Sequence, residues 1–207
     1  MPWKHWSAER LGIALAILAA LGFSFKAIFV KLAYAVPQAV PVDSVTLLAL
    51  RRVFSLPAFA WVCWKASRNL SPLSLREWGW VTALGLLGYY GASILDFMGL
   101  QYITASLERL ILFTYPTITL LIGVLFMGKT ASRREIGALL LSYAGIGLAF
   151  THDLQLASDM GPVLLGGAFV FGSAVSYAFY QAGSEPVIRR LGAARVTALD
   201  MLVSTVA

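Results

Sequence analysis

The sequence predicts an all-α polytopic membrane protein, a bundle of hydrophobic helices, from its composition, its apolar segments and its charge distribution. Of its 207 residues, 59% are hydrophobic and 13% are charged, and the mean hydropathy is +0.77. A soluble core cannot bury that much apolar surface. The net charge of +6 does not indicate nucleic-acid binding, because the basic residues lie between apolar segments in the pattern that orients membrane helices.

Seven apolar segments supply the predicted helices. A membrane-spanning helix needs about twenty apolar residues at 1.5 Å each. The segments are residues 11–36, 45–64, 80–100, 105–127, 136–151, 162–183 and 196–207. The last is so short that it would span roughly 18 Å of a hydrocarbon core about 30 Å thick. It predicts that the chain is a fragment or truncated product of a longer protein.

Basic residues alternate between the two sides of these segments. Those outside the segments lie at the N-terminus or in every second loop: Lys4, Arg10, Lys65, Arg68, Arg76, Lys129, Arg133, Arg134, Arg189, Arg190 and Arg195. The intervening loops carry only acids, Asp43, Asp153 and Asp159. Cytoplasmic loops of membrane proteins are enriched in Lys and Arg. The pattern therefore predicts a multi-pass protein of the cell (inner) membrane with a cytoplasmic N-terminus.

A weak internal repeat relates the first predicted helix to the sixth. Residues 12–32 align with residues 166–186 at an offset of 154, with identical residues at Gly12, Ala14, Ala20 and Phe25. Five helices per repeat is an odd number, so the second copy would be inverted in the membrane, an arrangement common in transporters. The domains expected are one complete five-helix repeat over 1–153 and the start of a second over 160–207.

The stretch from Gly99 to Phe150 carries a family resemblance. It reads GLQYITASLERLILFTYPTITLLIGVLFMGK, then a basic loop, then GALLLSYAGIGLAF. Together with the Arg51-Arg52 pair and Pro116, it resembles the EamA-type drug/metabolite transporters. The resemblance implies ten helices in two inverted repeats around a central cavity. It also implies that the protein exports or imports small metabolites. Gly128-Lys129 departs from the pattern, since the family usually carries an acid after that glycine.

Charged residues inside the predicted helices require an explanation, and they include Lys26, Lys31, Arg51, Arg52, Asp96, Glu108 and Arg109. Each charge at a helix centre costs roughly 2.5 to 3.5 kcal/mol on insertion scales, so these side chains should face the bundle interior or water. Counting along the helices places Lys26, Arg51, Asp96 and Glu108 roughly 5 to 15 Å from the boundary opposite the basic loops. They are predicted to form one polar layer.

Helical spacing adds polar residues to this layer. Tyr89 and Ser93 share a face with Asp96, Tyr115 shares one with Glu108, and Tyr180 and Gln181 lie on an uncharged face of the sixth helix. The predicted solute pathway comprises Lys26, Arg51, Arg52, Tyr89, Ser93, Asp96, Glu108, Tyr115, Tyr180 and Gln181. Pro116 is the predicted hinge. The alternatives are that the charges form structural ion pairs, and that Lys31, Glu108 and Arg109 extend to the membrane interface.

These features favour a permease, in particular a secondary active transporter of small metabolites or drugs, which as a fragment would be incomplete for transport. An intramembrane enzyme and a helper or scaffold subunit are the alternatives. His5 and His152 both lie outside the predicted helices, and the sequence has no HExxH pair and no Gly-rich phosphate loop before a helix. We therefore expect no catalysis, cofactor or metal site. The expected partners are membrane lipids, a small solute and a coupling proton or ion, not nucleic acid; a homo-oligomer is left open.

Overall fold

The computed structural model describes residues 8–36, 43–68, 70–153 and 160–207. Every regular element in these ranges is helical, which confirms the predicted all-α class. The helices are α1 (Ala8–Ala35), α2 (Ser44–Ser67), α3 (Leu75–Leu84), α4 (Ala92–Tyr102), α5 (Ala105–Leu112), α6 (Tyr115–Met127), α7 (Arg133–Asp153), α8 (Met160–Leu191) and α9 (Ala193–Val206). A π-helical segment, Gly85–Gly91, joins α3 to α4. Asp159, Lys4 and His5 lie outside the described residues.

Within the described ranges, five helical stretches are long and apolar enough to cross a membrane. They are Arg10–Ala35, Ser44–Ser67, Leu75–Tyr102, Ala105–Met127 and Gly161–Leu191. Large apolar side chains on them point outward; Leu18, Phe54 and Phe126 are 68%, 82% and 80% exposed. Such a surface is compatible with lipid and not with water. The chain is therefore a multi-pass membrane protein, and the span predicted over 136–151 coincides with most of α7.

The third span begins earlier than the sequence pattern predicts, at Leu75 and not at residue 80. A capping box fixes this start: the Ser74 backbone N–H donates to Glu77 Oε2 (2.7 Å), and the Glu77 N–H donates to Ser74 Oγ (3.3 Å).

At α2, the Asp43 side chain accepts from the Thr46 N–H at 2.9 Å. Hydrogen bonding to the ionised form lowers the pKa of Asp43.

At Pro116, the predicted hinge, the structure shows a break between two helices. α5 ends at Leu112, Phe113 adopts ψ of 3°, and the Thr114 N–H donates to the Ile111 carbonyl at 3.1 Å. Pro116 lies in the first turn of α6, where its missing N–H costs no helical hydrogen bond. The structure thus places a discontinuity between α5 and α6; the hinge motion stays a prediction.

The sixth span is longer than predicted. The pattern ends it at residue 183, whereas α8 continues through Pro186 to Leu191. It stops at Gly192, whose φ of +85° is a conformation that favours glycine. α8 packs against the π segment and α4, and there a Cβ on Gly88 would lie 2.2 Å from Tyr180 Cγ. Glycine therefore lets these helices approach closely.

Basic residues from separate loops meet at one end of the bundle, which we call the basic end. Arg195 Nη2 donates to the Ser71 carbonyl at 2.9 Å, and Arg190 Nε lies 3.1 Å from Glu77 Oε1. Glu185 pairs with Lys129 and, at 2.8 Å, with Arg189. The loop after α2, the loop after α6 and the α8–α9 corner are thereby tied together.

Candidate functional site

Two acids and two bases from three helices form an ion-pair cluster inside the bundle. Lys26 of α1 pairs with Asp96 of α4, and its Nζ lies 3.4 Å from Glu108 Oε1 of α5. On the other side of Glu108, Oε2 lies 3.2 Å from Arg109 Nε. The structure thus brings together three of the four residues predicted to form a polar layer.

Burial makes the pairing of these charges necessary. The side chains of Asp96 and Glu108 are 3% and 0% exposed, and an unpaired buried ion costs several kcal/mol. With Lys26 and Arg109 the cluster contains two positive and two negative groups. With both carboxyls ionised the unit is neutral, and its contacts connect α1, α4 and α5.

Arg109 and Lys31, for which extension to the membrane interface was the alternative, each donate to a backbone carbonyl of a neighbouring helix. Arg109 Nη2 donates to the Phe23 carbonyl at 2.6 Å, and its guanidinium lies 4.4 Å from the centre of the Phe23 ring. Lys31 Nζ donates to the Leu100 carbonyl at 3.0 Å. These contacts connect α1 to α5 and α4, so both residues have structural partners.

A cavity of about 440 Å³ lies beside the cluster, and we call it the central cavity. Its wall combines charged, hydroxyl and aromatic side chains from α1, α2, the π segment, α4, α6, α8 and α9. The polar lining residues are Lys26, Arg51, Ser55, Tyr89, Ser93, Asp96, Tyr115, Ser173, Tyr177 and Thr197. Its volume lies within the range of small-molecule sites. Six residues of the predicted pathway therefore share one cavity wall.

The two adjacent arginines of α2 have different surroundings. The Arg51 guanidinium lies 5.3 Å from the centre of the Phe97 ring at the cavity wall and forms no direct ion pair with a carboxylate in the described ranges. Arg52 is 3% exposed and donates to the Ser204 hydroxyl and the Tyr89 carbonyl. Arg52 thus ties α2 to α9 and the π segment, while Arg51 is available to the cavity.

Four aromatic rings form a continuous series next to the cavity. Tyr115 and Tyr177 meet edge to face with centroids 5.0 Å apart, Tyr177 stacks on Tyr180 at 5.7 Å, and Tyr180 meets Tyr89 edge to face at 5.3 Å. Such geometries are favourable for aromatic pairs. Tyr180 does not itself line the cavity; it is buried behind Tyr89 and Tyr177.

Gln181 and Pro116 belong to a second cavity. This space, of about 810 Å³, lies between α6, α7 and α8 and opens toward Lys129 and Glu185. Consecutive residues of a helix point about 100° apart, so Gln181 faces away from the surroundings of Tyr180. The structure therefore does not bring Gln181 to the central cavity.

Sequence reasoning missed Phe23, Ser173, Thr197 and Asp200. The first three line the cavity, but an aromatic residue or a single hydroxyl in a membrane helix gives no distinctive signal. Asp200 is fully buried in α9. The rule that identified Asp96, a charge within an apolar segment, applies equally to Asp200.

Comparisons with known proteins support a transporter family. Residues 10–151 match the EamA-like transporter family. The "Uncharacterized transporter YcbK" of Bacillus subtilis (strain 168) is 26% identical over 199 residues, which are 92% of this chain and 59% of that relative. The chain thus spans less than two thirds of the relative's length. No solved structure matches it significantly. Because the family match covers more than half of the chain and confirms the resemblance, the protein belongs to the EamA-like transporter family.

Proposed function

We propose that this protein is a secondary active membrane transporter of small metabolites and that the central cavity is its solute site. One observation carries the proposal: a polar cavity of about 440 Å³ adjoins a buried ion-pair cluster within a bundle of membrane helices. Polar groups at membrane depth are costly and mark solute or ion pathways. The family match and the name of the bacterial relative support the same function.

The orientation follows from the basic end. Lys129, Arg189, Arg190 and Arg195 gather there, and basic loops remain on the cytoplasmic side of a membrane. We place the basic end and the N-terminus in the cytoplasm of a cell with the protein in its inner membrane. The ion-pair cluster then lies in the outer half of the bilayer.

The residues of the cavity wall favour a solute that carries an anionic group and an apolar or aromatic part. Lys26 is neutralised by Asp96, so Arg51 is the cavity cation without a direct carboxylate partner among the described residues. A guanidinium binds a carboxylate, sulfonate or phosphate through paired hydrogen bonds. The rings of Phe23, Phe59 and Tyr177 in the same wall supply apolar contact area for the remainder of the solute.

Transport is tested with proteoliposomes that carry the protein as its gene encodes it. Sealed vesicles are incubated in a metabolite extract, and the accumulated solutes are identified by mass spectrometry. We expect unmodified organic anions to accumulate, and Arg51→Ala to reduce their accumulation about tenfold, the effect of losing a charge-assisted hydrogen bond. Arg134→Ala, which removes a basic residue outside the cavity, is the matched control.

Each other outcome contradicts the proposal in a different way. Disappearance of a solute with appearance of a new compound would indicate an intramembrane enzyme. Vesicles that accumulate nothing beyond empty liposomes would reject autonomous transport by this chain and favour a helper or scaffold subunit. Equal accumulation with the native chain and with Arg51→Ala would remove Arg51 from the solute site.

A further inference from the structure

A buried carboxyl group on α9 has no use in the ion-pair cluster. The Asp200 side chain is fully buried, and neither of its oxygens accepts a hydrogen bond from any residue in the described ranges. On the same face of α9, Val196 one turn earlier is buried and apolar, and Ser204 one turn later is buried and accepts a hydrogen bond from Arg52. A carboxylate in such surroundings is costly, so this group is expected to hold a proton.

The π segment explains why α9 packs so tightly at this position. A Cβ on Gly85 would lie 3.0 Å from the Asp200 carbonyl oxygen, 3.2 Å from its Cα and 3.3 Å from Val203 Cβ. Glycine therefore allows the backbones of the π segment and α9 to meet. Water is excluded from this contact, and π-helical turns occur frequently at functional sites.

Charged groups on the helices around Asp200 are engaged elsewhere or lie at the basic end. Arg52 of α2 binds Ser204 and the Tyr89 carbonyl, Arg195 of α9 binds the Ser71 carbonyl, and Arg190 of α8 pairs with Glu77 of α3. Arg51 and Arg76 line other spaces. α3 presents the apolar Val81 to α9. Among the described residues, none of these cations forms an ion pair with Asp200.

Tyr180 connects this carboxyl to the central cavity. Tyr180 and Asp200 pack against the same π segment, Tyr180 at Gly88 and Asp200 at Gly85, and the Tyr180 ring contacts Tyr89 and Tyr177, which line the cavity. On α9 itself, Thr197 and Met201 also line the cavity. A change in the charge of Asp200 therefore acts on residues that form the cavity wall.

We propose that Asp200 is a proton-binding site coupled to the central cavity through Tyr180. On release, the carboxyl O–H bond breaks, the proton passes to water in the cavity, and the carboxylate accepts a hydrogen bond from the Tyr180 hydroxyl. Asp96 and Glu108 are less suited to this role, because Lys26 and Arg109 balance their charges. That this proton is exchanged during solute movement rests on the proposed function; the site itself does not.

Infrared spectroscopy of the full chain in lipid bilayers tests the site without a solute. A protonated carboxyl gives a C=O stretching band that ionised carboxylates lack. We expect this band near neutral pH, its loss as the pH rises, and its absence in Asp200→Asn but not in Asp96→Asn. Tyr180→Phe should shift the titration midpoint by about one pH unit, the effect of one hydrogen bond to a charged group. A band that survives Asp200→Asn, or no band at all, would refute the assignment.

The link to the cavity is tested with a thiol reporter. Ser93→Cys, in a chain whose free Cys63 is replaced by Ala, places the thiol in the cavity wall. After correction for thiolate content with a free-thiol standard, we expect its reaction rate with a water-soluble maleimide to change several-fold across the infrared midpoint. Asp200→Asn should abolish that change. A corrected rate independent of pH, including no reaction, would refute the coupling, whatever the vesicle assay shows about transport.

Discussion

The ion pair between Lys26 and Asp96 supports a quantitative prediction on stability. Lys26→Met leaves Asp96 without its ion-pair partner and Glu108 with Arg109 alone, and Asp96→Asn leaves a largely buried ammonium with only the longer contact to Glu108. Removing one partner of a buried pair costs about 3 to 5 kcal/mol because the other charge remains buried. The double variant removes both charges together. It should cost no more than either single change, which corresponds to a coupling of at least about 3 kcal/mol.

The measurement is the free energy of unfolding of the chain in bilayers or mild detergent, determined for the four members of the double-mutant cycle. Lys129 and Glu185 offer a matched control, since they also form an ion pair but lie exposed at the basic end. Their single variants should leave stability nearly unchanged, because exposed pairs contribute little. Additive effects of Lys26→Met and Asp96→Asn would refute the reasoning, since they would mean that neither charge depends on the other.

Three further predictions concern packing, the second arginine and pH. Gly88→Ala should destabilise the chain by about 1 to 3 kcal/mol through its clash with Tyr180, whereas Gly12→Ala, which meets no atom within 4 Å, should be neutral in the same unfolding assay. Arg52→Ala should lower stability by about 2 to 3 kcal/mol through lost hydrogen bonds, while Arg51→Ala should mainly weaken solute binding. Hydrogen bonds from Ser132 lower the pKa of Glu135. The ionised Glu135 therefore stabilises the α7 N-terminus at neutral pH, and this stabilisation is lost as the pH falls through the lowered pKa. The protection factors of the amides there, which correct for the intrinsic pH dependence of exchange, should fall in acid in the native chain but not in Glu135→Gln.

The polar layer could be predicted from the sequence because charges are rare in membrane helices. Lys26, Asp96 and Glu108 were grouped by depth alone, and the structure joins them. Depth does not determine the direction in which a side chain points around its helix axis. The pairing of Asp96 with Lys26 and the position of Arg51 over Phe97 could therefore not be foreseen. Packing determines which of two acceptable cations turns toward an acid.

Helix boundaries show a second limit of the sequence pattern. Gly183 and Pro186 resemble the end of a helix, yet α8 continues past both. Gly183 instead admits Leu84 of α3, whose Cδ2 would lie 3.2 Å from a Cβ at that position. A residue that breaks an isolated helix can thus be selected for close packing, and local propensity does not distinguish these two roles.

The division between balanced and unbalanced charges separates structural from functional groups in this bundle. Lys26, Asp96, Glu108 and Arg109 neutralise one another, so any change in one is opposed by the other three. Arg52 has no carboxylate partner either, but it is buried away from the cavity wall and bound to Ser204 and the Tyr89 carbonyl. Arg51 and Asp200 also lack a direct ionic partner in the described ranges, and each adjoins the central cavity, Arg51 directly and Asp200 through Tyr180. An uncompensated charge beside the cavity is available to something that enters, and an anion at Arg51 and a proton on Asp200 meet that condition. The balanced cluster then provides the rigid wall against which these two binding events act.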